Sequence, residues 1–140
     1  ATLDAAAPAK GTLQCFDKDL RNVSATKKNL KVAGLDNVGA ARMDVEWLDT
    51  KLDKASVDAL VTQPPLAGRL LSPQKLEKFY QELFYQADFV LKAKGQIVLI
   101  VPGPASILGP AKARNFAVTA QHSVWSGQQK WEIVRLGKAK

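Results

Sequence analysis

Short apolar runs alternate with longer amphipathic stretches along the chain, and this alternation restricts the possible folds more than any other feature. Thr12–Phe16, Val38–Met43 and Gln96–Val101 have the length and apolarity of strands. Leu20–Ala33 repeats its apolar residues near helical spacing and is followed by Gly34, a typical helix stop. Such alternation is typical of crossover units, in which helices cover both faces of a largely parallel sheet. We therefore predict the α/β class.

The middle of the chain contains a short strand and the clearest helix. Asp58–Thr62 is apolar enough for a buried strand and is followed by two prolines, which cannot continue a β-ladder. Ser72 is a candidate N-cap and Pro73 suits the first helical position. From there, apolar residues recur at intervals of three and four, which predicts a helix to about Lys92.

The last part of the chain does not continue the alternation of strands and helices. Phe116–Trp125 and Lys130–Leu136 are strand-like and are separated by a short segment that contains Gly127. Strands joined in this way form an antiparallel hairpin. Pro102–Pro110 contains three prolines and two glycines, which predicts a loop. The sequence thus predicts a mostly parallel sheet that ends in an antiparallel hairpin.

Composition narrows the class of protein and of partner. A length of 140 residues suits one domain, residues 1–140. The longest apolar run, Ile97–Pro102, is far shorter than the roughly 20 residues that cross a bilayer, so we expect a soluble, cytoplasmic protein with no membrane contact. One cysteine, Cys15, and one histidine, His122, exclude an internal disulfide and leave no Cys/His cluster for zinc. No metal is expected.

The net charge suggests a polyanionic partner. It is +7, with an isoelectric point near 9.6, and lysines that neutralise phosphates release counterions and so favour nucleic-acid binding. Lys27, Lys28 and Lys31 form the densest internal cluster. A basic surface that serves solubility alone explains the same charge equally well.

Ligands of open α/β sheets bind beyond the carboxyl ends of the strands, so the residues that follow each strand are the site candidates. Asp17 follows the first strand, where a carboxylate can accept both ribose hydroxyls of an adenosine-containing ligand. Asp44 follows the second and can accept from an adenine amino group, although an N-cap role is as plausible. Asp19 is favoured as the N-cap of the helix at Leu20.

The most specific segment follows the strand Asp58–Thr62. It reads Gln63-Pro64-Pro65-Leu66 and continues to Gly68 and Arg69. Consecutive prolines fix the backbone, which is a rigid way to aim a carbonyl and the preceding amide side chain into a cleft. A Pro-Pro pair can also simply end a strand.

The segment DALVTQPPLAGR resembles the catalytic loop of methyltransferases that modify exocyclic amino nitrogens, whose usual form is Asn or Asp, Pro, Pro, then Tyr or Phe. KLEKFYQELFYQADFVLKAKGQIVLIVP and GTLQCFDKDLRNVSATKKNLKVAGLDNV resemble further parts of the THUMP-associated RNA methyltransferases. The likeness implies a Rossmann-like sheet, S-adenosylmethionine as cofactor and RNA, above all tRNA, as partner.

Carried over by position, the resemblance assigns roles to individual residues. Asp17 would bind the ribose of S-adenosylmethionine and Asp44 its adenine. Gln63 and the Pro64 carbonyl would accept hydrogen bonds from the target amino group, with Pro65 and Leu66 completing the loop. Arg69, with the lysine cluster, would contact the RNA.

The sequence departs from the family pattern in two places. Nothing before Gly11 matches the Gly-rich donor loop that the family carries after its first strand, and Ala1–Ala7 resembles the helix beyond that loop. In the loop itself, Gln63 replaces Asn or Asp and Leu66 replaces the aromatic. We therefore expect a partial domain without its first strand, completed by a preceding segment or a second chain, or with re-paired strands.

Two other functions remain open at this point. One is a methyltransferase-like module without catalysis that binds RNA or protein, and the other is a DNA adenine methyltransferase, whose chemistry uses the same loop. Trp125 and Trp131 lie on the last strand pair and can stack bases, although packing at the sheet edge is the favoured interpretation. His122 is expected to be structural or to face solvent.

Overall fold

A computed structural model describes residues 12–66, 68 and 71–139. The chain divides into two compact units, Ala1–Trp47 and Leu48–Lys140. Each unit combines helices with parallel strands, which confirms the predicted α/β class. The stretch Ala1–Ala7, for which a helix is predicted by resemblance, lies outside the described residues. No described helix is long and apolar enough to cross a membrane.

The first unit contains two parallel strands joined by a helix. β1 is Leu13–Asp17, α1 is Leu20–Ala33 and β2 is Val38–Arg42. The strands pair in parallel from Leu13 opposite Val38 to Asp17 opposite Arg42. A single turn of 3₁₀ helix, Val45–Trp47, follows β2.

Local sequence signals set both ends of α1. The carboxylate of Asp19 accepts from the backbone N–H of Arg21 at 2.9 Å, so Asp19 is the N-cap, as predicted. Gly34 follows the helix with φ at +68°, and its N–H reaches the carbonyls of Leu30 and Lys31. Only glycine adopts this left-handed conformation without a steric cost, which explains why the helix ends there.

The second unit contains a four-stranded mixed sheet and three helices. Its elements are α2 (Leu48–Lys51), β3 (Val57–Thr62), α3 (Pro73–Val90), β4 (Leu91–Val101), α4 (Ala105–Ala113), β5 (Phe116–Ser126) and β6 (Gln129–Lys138). The strand order is β3-β4-β6-β5, with β3 and β4 parallel and β6 antiparallel to both β4 and β5. The predicted C-terminal hairpin is confirmed.

One face of this sheet forms the core of the second unit. Alternate residues of β4 and β6 are buried, as a strand with one covered face requires. They are Ile97, Leu99, Val101, Val134 and Leu136. Phe84 of α3 is fully buried and its ring centroid lies 5.6 Å from that of Phe116 on β5. Each such side chain contributes roughly 1.5–3 kcal/mol through burial.

Two predicted boundaries are wrong. α4 begins at Ala105 and so replaces the second part of the predicted Pro102–Pro110 loop, because the buried side chains of Ile107 and Ala111 stabilise a helix despite Pro110 within it. α3 ends at Val90 rather than near Lys92, and β4 begins directly at Leu91. The sheet accommodates this early start through a shift of the β3–β4 register.

In the described part of the chain, β1 has β2 as its strand partner and β3 has β4, in two separate sheets. Each of these strands therefore has one edge whose backbone groups are not paired to another described strand. The resemblance to the THUMP-associated RNA methyltransferases implies a further strand between the counterparts of β1 and β3. Completion of the sheet by a further strand stays a prediction.

Candidate active site

Asp17 lies at the carboxyl end of β1 and its carboxylate is held on both oxygens. Oδ1 accepts from the backbone N–H of Asp19 at 2.8 Å, and Oδ2 accepts from Nδ2 of Asn22 at 3.1 Å. The side chain is half-buried. Because a carboxylate has about four acceptor positions, two remain for a ligand. The carboxylate is thus oriented before any ligand arrives.

Asn22 is a positioning residue that the sequence pattern did not single out. It lies on the first turn of α1, five residues after Asp17, and its amide holds one oxygen of that carboxylate. The sequence contains one signal for this role. It is an amide side chain near the start of a helix whose N-terminus faces the end of the preceding strand. Polar residues there are common, so the sequence alone gave no reason to select it.

Asp44 lies two residues beyond the end of β2 and is half-buried. Its carbonyl accepts from the N–H of Trp47 at 3.0 Å, and its Oδ1 is 3.4 Å from the N–H of Glu46. Asp44 therefore starts the 3₁₀ turn, as the N-cap alternative predicts. The long contact to Glu46 leaves its carboxylate available for stronger donors.

The two aspartates lie at the same edge of the two-stranded sheet in the first unit. Asp17 is paired in register with Arg42, the last residue of β2, and Asp44 follows two residues later. The backbone N–H of Met43 continues the pairing by donating to the carbonyl of Asp17 at 2.9 Å. Two carboxylates thus follow neighbouring parallel strands at the same edge, which is where such sheets bind ligands.

Asp19 has a structural role in the same turn. Beside the N-cap bond, its two carboxylate oxygens accept from Nε and Nη2 of Arg21 at 3.3 and 3.1 Å. These hydrogen bonds from Arg21 lower the pKa of Asp19 below its usual value. Asp19 stays ionised and fixes the start of the helix that carries Asn22.

The Gln63–Leu66 segment follows β3 directly in the second unit. Pro64 is buried, whereas Gln63 and Pro65 are exposed and the side chain of Leu66 is 50% exposed. The buried proline anchors the segment, and its fixed φ limits the directions that the neighbouring Gln63 can take. An exposed carboxamide thus lies at the carboxyl end of a parallel strand.

The rest of the loop leads into α3. Gly68 and Leu71 exchange backbone hydrogen bonds of 2.9 and 3.3 Å. Ser72 then caps α3 by accepting from the N–H of Lys75, and Pro73 takes the first position, both as predicted. Arg69, a predicted nucleic-acid contact, lies outside the described residues.

The predicted lysine cluster forms an exposed basic surface on α1. Lys27, Lys28 and Lys31 are all exposed. None forms an ion pair within the residues that the structure describes. α1 carries no acidic residue, so this surface is uniformly positive.

Parallel strands with amphipathic helices, polar residues after the strand ends and a closing antiparallel hairpin define the class of Rossmann-like methyltransferase folds. A family model described as the RMKL-like methyltransferase domain matches residues 1–131. The chain belongs to this family.

Solved structures show the same fold. TrmN from Thermus thermophilus matches with a TM-score of 0.83 at 21% identity over 98% of this chain. A geranyl diphosphate C-methyltransferase from Streptomyces coelicolor A3(2), solved with S-adenosyl-L-homocysteine, matches with a TM-score of 0.75 at 10% identity over 99% of this chain. The Rossmann-like methyltransferase fold is confirmed.

The chain spans only part of these proteins. It covers 40% of the TrmN chain and 68% of the Streptomyces enzyme. A search of curated proteins found no match. Family and fold together show that the chain carries a methyltransferase domain of the RMKL-like family.

Proposed function

We propose that the protein transfers the methyl group of S-adenosylmethionine to an exocyclic amino nitrogen of a nucleobase in RNA, with guanine N2 of tRNA as the target. The observation that carries this proposal is the Gln63-Pro64-Pro65 segment directly after a parallel strand in a methyltransferase-family domain. The proposal includes kinship with the THUMP-associated branch, whose loop and following helix the sequence resembles.

Asp17 and Asp44 are the proposed donor-binding residues. Carboxylates only accept hydrogen bonds, and the ribose hydroxyls and adenine amino group of S-adenosylmethionine are donors. Asp17 fits this role because Asp19 and Asn22 already hold it while leaving acceptor positions open. When bound, the cofactor supplies an electrophilic methyl group on its sulfonium.

Gln63 and the Pro64 carbonyl are the proposed acceptor-binding groups. By accepting hydrogen bonds from both N–H groups of the target amino group, they would turn its lone pair toward the methyl group. The proton that the methylated nitrogen then loses would pass to solvent. Catalysis would then rest on proximity and electrostatic orientation, without a general base in the usual sense. The burial of Pro64 supports this role, since a fixed carbonyl keeps its direction.

The RNA partner is proposed from charge and from the resemblance to RNA methyltransferases. The exposed Lys27, Lys28 and Lys31 on α1 suit phosphate contacts. Arg69 is proposed as a further contact near the target base. The fold match to TrmN adds support for an RNA substrate.

Replacing Gln63 tests the proposed catalytic loop. Gln63→Ala is expected to lower methyl transfer to tRNA by at least about 100-fold, comparable to the loss of one hydrogen-bonding group at other reacting centres. Gln63→Asn restores the family's usual residue and should retain activity. RNA affinity should stay within a few-fold in both, as measured by filter binding beside transfer of a labelled methyl group.

Gln74→Ala serves as the matched control, because Gln74 is an exposed glutamine on α3. It should leave methyl transfer unchanged. Wild-type activity in the Gln63→Ala protein would refute the assigned role.

A module that binds RNA without catalysis is the second candidate. It is favoured by Leu66, an exposed aliphatic residue where the related loops carry an aromatic. Calorimetric titration with S-adenosylmethionine separates the two functions. Binding near micromolar affinity supports the enzyme, whereas a folded chain that binds RNA but no donor supports the module.

A further inference from the structure

The β5–β6 hairpin extends beyond the core of the second unit. Among the strands that the structure describes, β5 is an edge strand that pairs with β6 alone. Among its residues Phe116 is buried and Ala120 half-buried, while the others, on both faces, are exposed. A strand that served only to cover the core would bury every second residue. The distal half of the hairpin, here called the arm (His122–Ile133), is therefore available to a partner.

Trp125 lies near the tip of the arm and is 66% exposed. Tryptophan side chains are usually largely buried. Because Trp125 is exposed instead, the favoured prediction that it packs at the sheet edge is wrong. Its register partner on β6 is Lys130, and directly opposite residues lie on the same face. Trp131 pairs with Val124 on the other face and is half-buried. An aromatic surface and a cation thus share one side of the arm.

The C-terminal region also carries most of the charge of the protein. Residues 112–140 contain six Lys and Arg and one acid, so five of the seven net positive charges of the chain fall there. Lys112 and Arg135 are exposed, and the Lys130 side chain is 49% exposed. These residues belong to a different part of the sequence from the lysine cluster on α1.

The one acid of the region does little to offset this charge at the surface. Glu132 is buried, and its carboxylate accepts from Nε2 of Gln121 at 3.2 Å and from Oγ of Ser123 at 2.9 Å. Its ion pair with Lys130 is 3.4 Å long and leaves the lysine half exposed. The outward surface of the arm therefore combines positive charge, hydroxyl and amide groups with one exposed indole.

We infer that the arm is a contact site for single-stranded or looped RNA, in which a base stacks on Trp125 while a phosphate lies against Lys130 on the same face. Stacking on an exposed aromatic beside cations is the general means by which proteins hold unpaired bases. The inference deepens the proposed function, since it names a second region of the protein that touches the RNA. It is independent of the catalytic loop.

Fluorescence anisotropy with a labelled 12-nucleotide oligouridylate and with tRNA tests the inference. Trp125→Ala is expected to weaken binding of the oligonucleotide about tenfold, within the range for one stacked base. Trp125→Phe keeps an aromatic face and should stay within about threefold of wild type. Lys130→Gln should weaken binding and reduce the dependence of log affinity on log salt by about 0.7, the value for one phosphate contact on a single strand.

Val118→Ala is the matched control, because it removes another exposed apolar side chain of the same strand. Its affinity should equal that of wild type, and circular dichroism should show that all variants are folded. Equal affinities of wild type and Trp125→Ala overturn the inference. A changed solution mass of Trp125→Ala with unchanged RNA affinity also overturns the inference, because the arm would then be a self-association surface.

The outcome is separable from that of the catalytic proposal. Loss of RNA binding in Trp125→Ala, with no methyl transfer by wild type, supports the arm and rejects the enzyme. If methyl transfer depends on Gln63 but not on Trp125, and Trp125→Ala leaves the RNA affinity unchanged, the enzyme is supported and the arm is rejected.

Discussion

At the scale of single residues, Glu132 is a buried carboxylate whose charge is stabilised by its neighbours. The hydrogen bond from Gln121, then those from Ser123, lower its pKa below the ordinary value of 4.5, and Lys130 acts in the same direction. A carboxyl group whose pKa is lower in the folded state stabilises the fold at any pH above its unfolded value. This contribution is lost as the pH falls through the lowered, folded-state pKa.

Glu132→Gln should therefore be less stable than wild type at pH 7. The difference should shrink as the pH falls from the unfolded value of about 4.5 through the lowered pKa of the folded carboxyl. Urea unfolding of both proteins at pH 7 and pH 3 measures this. A stability difference that is the same at both values would contradict the prediction.

The site candidates show what can be predicted for individual residues. Asp17, Asp44 and Gln63 could be selected because each closely follows a strand that the sequence marks clearly, and all three lie there. Asn22 could not be selected, since its role depends on the direction of its side chain across the first turn of α1. The exposure of Trp125 likewise depends on how far β5 extends past the core.

At the scale of elements, the C-terminus of α3 is fixed by a side chain from β6. Nζ of Lys138 donates to the carbonyls of Asp88 and Leu91 at 2.9 and 2.8 Å. The last carbonyls of a helix have no partners within it and carry the negative end of the helix dipole, so a lysine there is favourable. This contact joins the end of the last strand to the point where α3 becomes β4.

Lys138→Met is expected to destabilise the fold by about 1–2 kcal/mol, because it removes the charged donor from the carbonyls of Asp88 and Leu91, of which the second is partly buried. Lys92→Met is the control: its ion pair with Asp58 is 3.0 Å long, but both side chains are largely exposed. Such a pair contributes less than about 1 kcal/mol. Equal losses for the two variants in chemical unfolding would argue against the capping role.

The elements also show where sequence patterns succeed and fail. α3 was predicted from its cap, Pro73 and its apolar periodicity, all of which are local signals. α4 was missed because Pro102, Pro104 and Pro110 suggest a loop, whereas burial of Ile107 and Ala111 stabilises the helix. That burial comes from tertiary packing, which the local pattern does not contain.

At the scale of the whole molecule, the net charge of +7 is distributed between α1 and the C-terminal region. Changing Lys27, Lys28 and Lys31 to glutamate removes two charges per site and leaves a net charge of +1. If α1 contacts phosphates, RNA affinity should fall by more than about tenfold, with a smaller salt dependence, in titrations at several salt concentrations.

The control for net charge is the change of Lys51, Lys54 and Lys94 to glutamate. These three lysines are exposed and belong to the second unit. This control variant should weaken binding less than the α1 variant. Equal losses would mean that the total charge, and not the lysine cluster, governs the affinity.

The order of strands in the second unit bears on how the protein folds as it is made. β6 follows β5 in the sequence but lies between β4 and β5 in the sheet. While a ribosome is still synthesising residues 129–138, β5 has no strand to pair with and β4 has only β3. Domains generally fold as units once their parts have been made. The second unit is therefore expected to reach its native pairing only after β6 has left the exit tunnel, with the Trp125 strand unpaired until then.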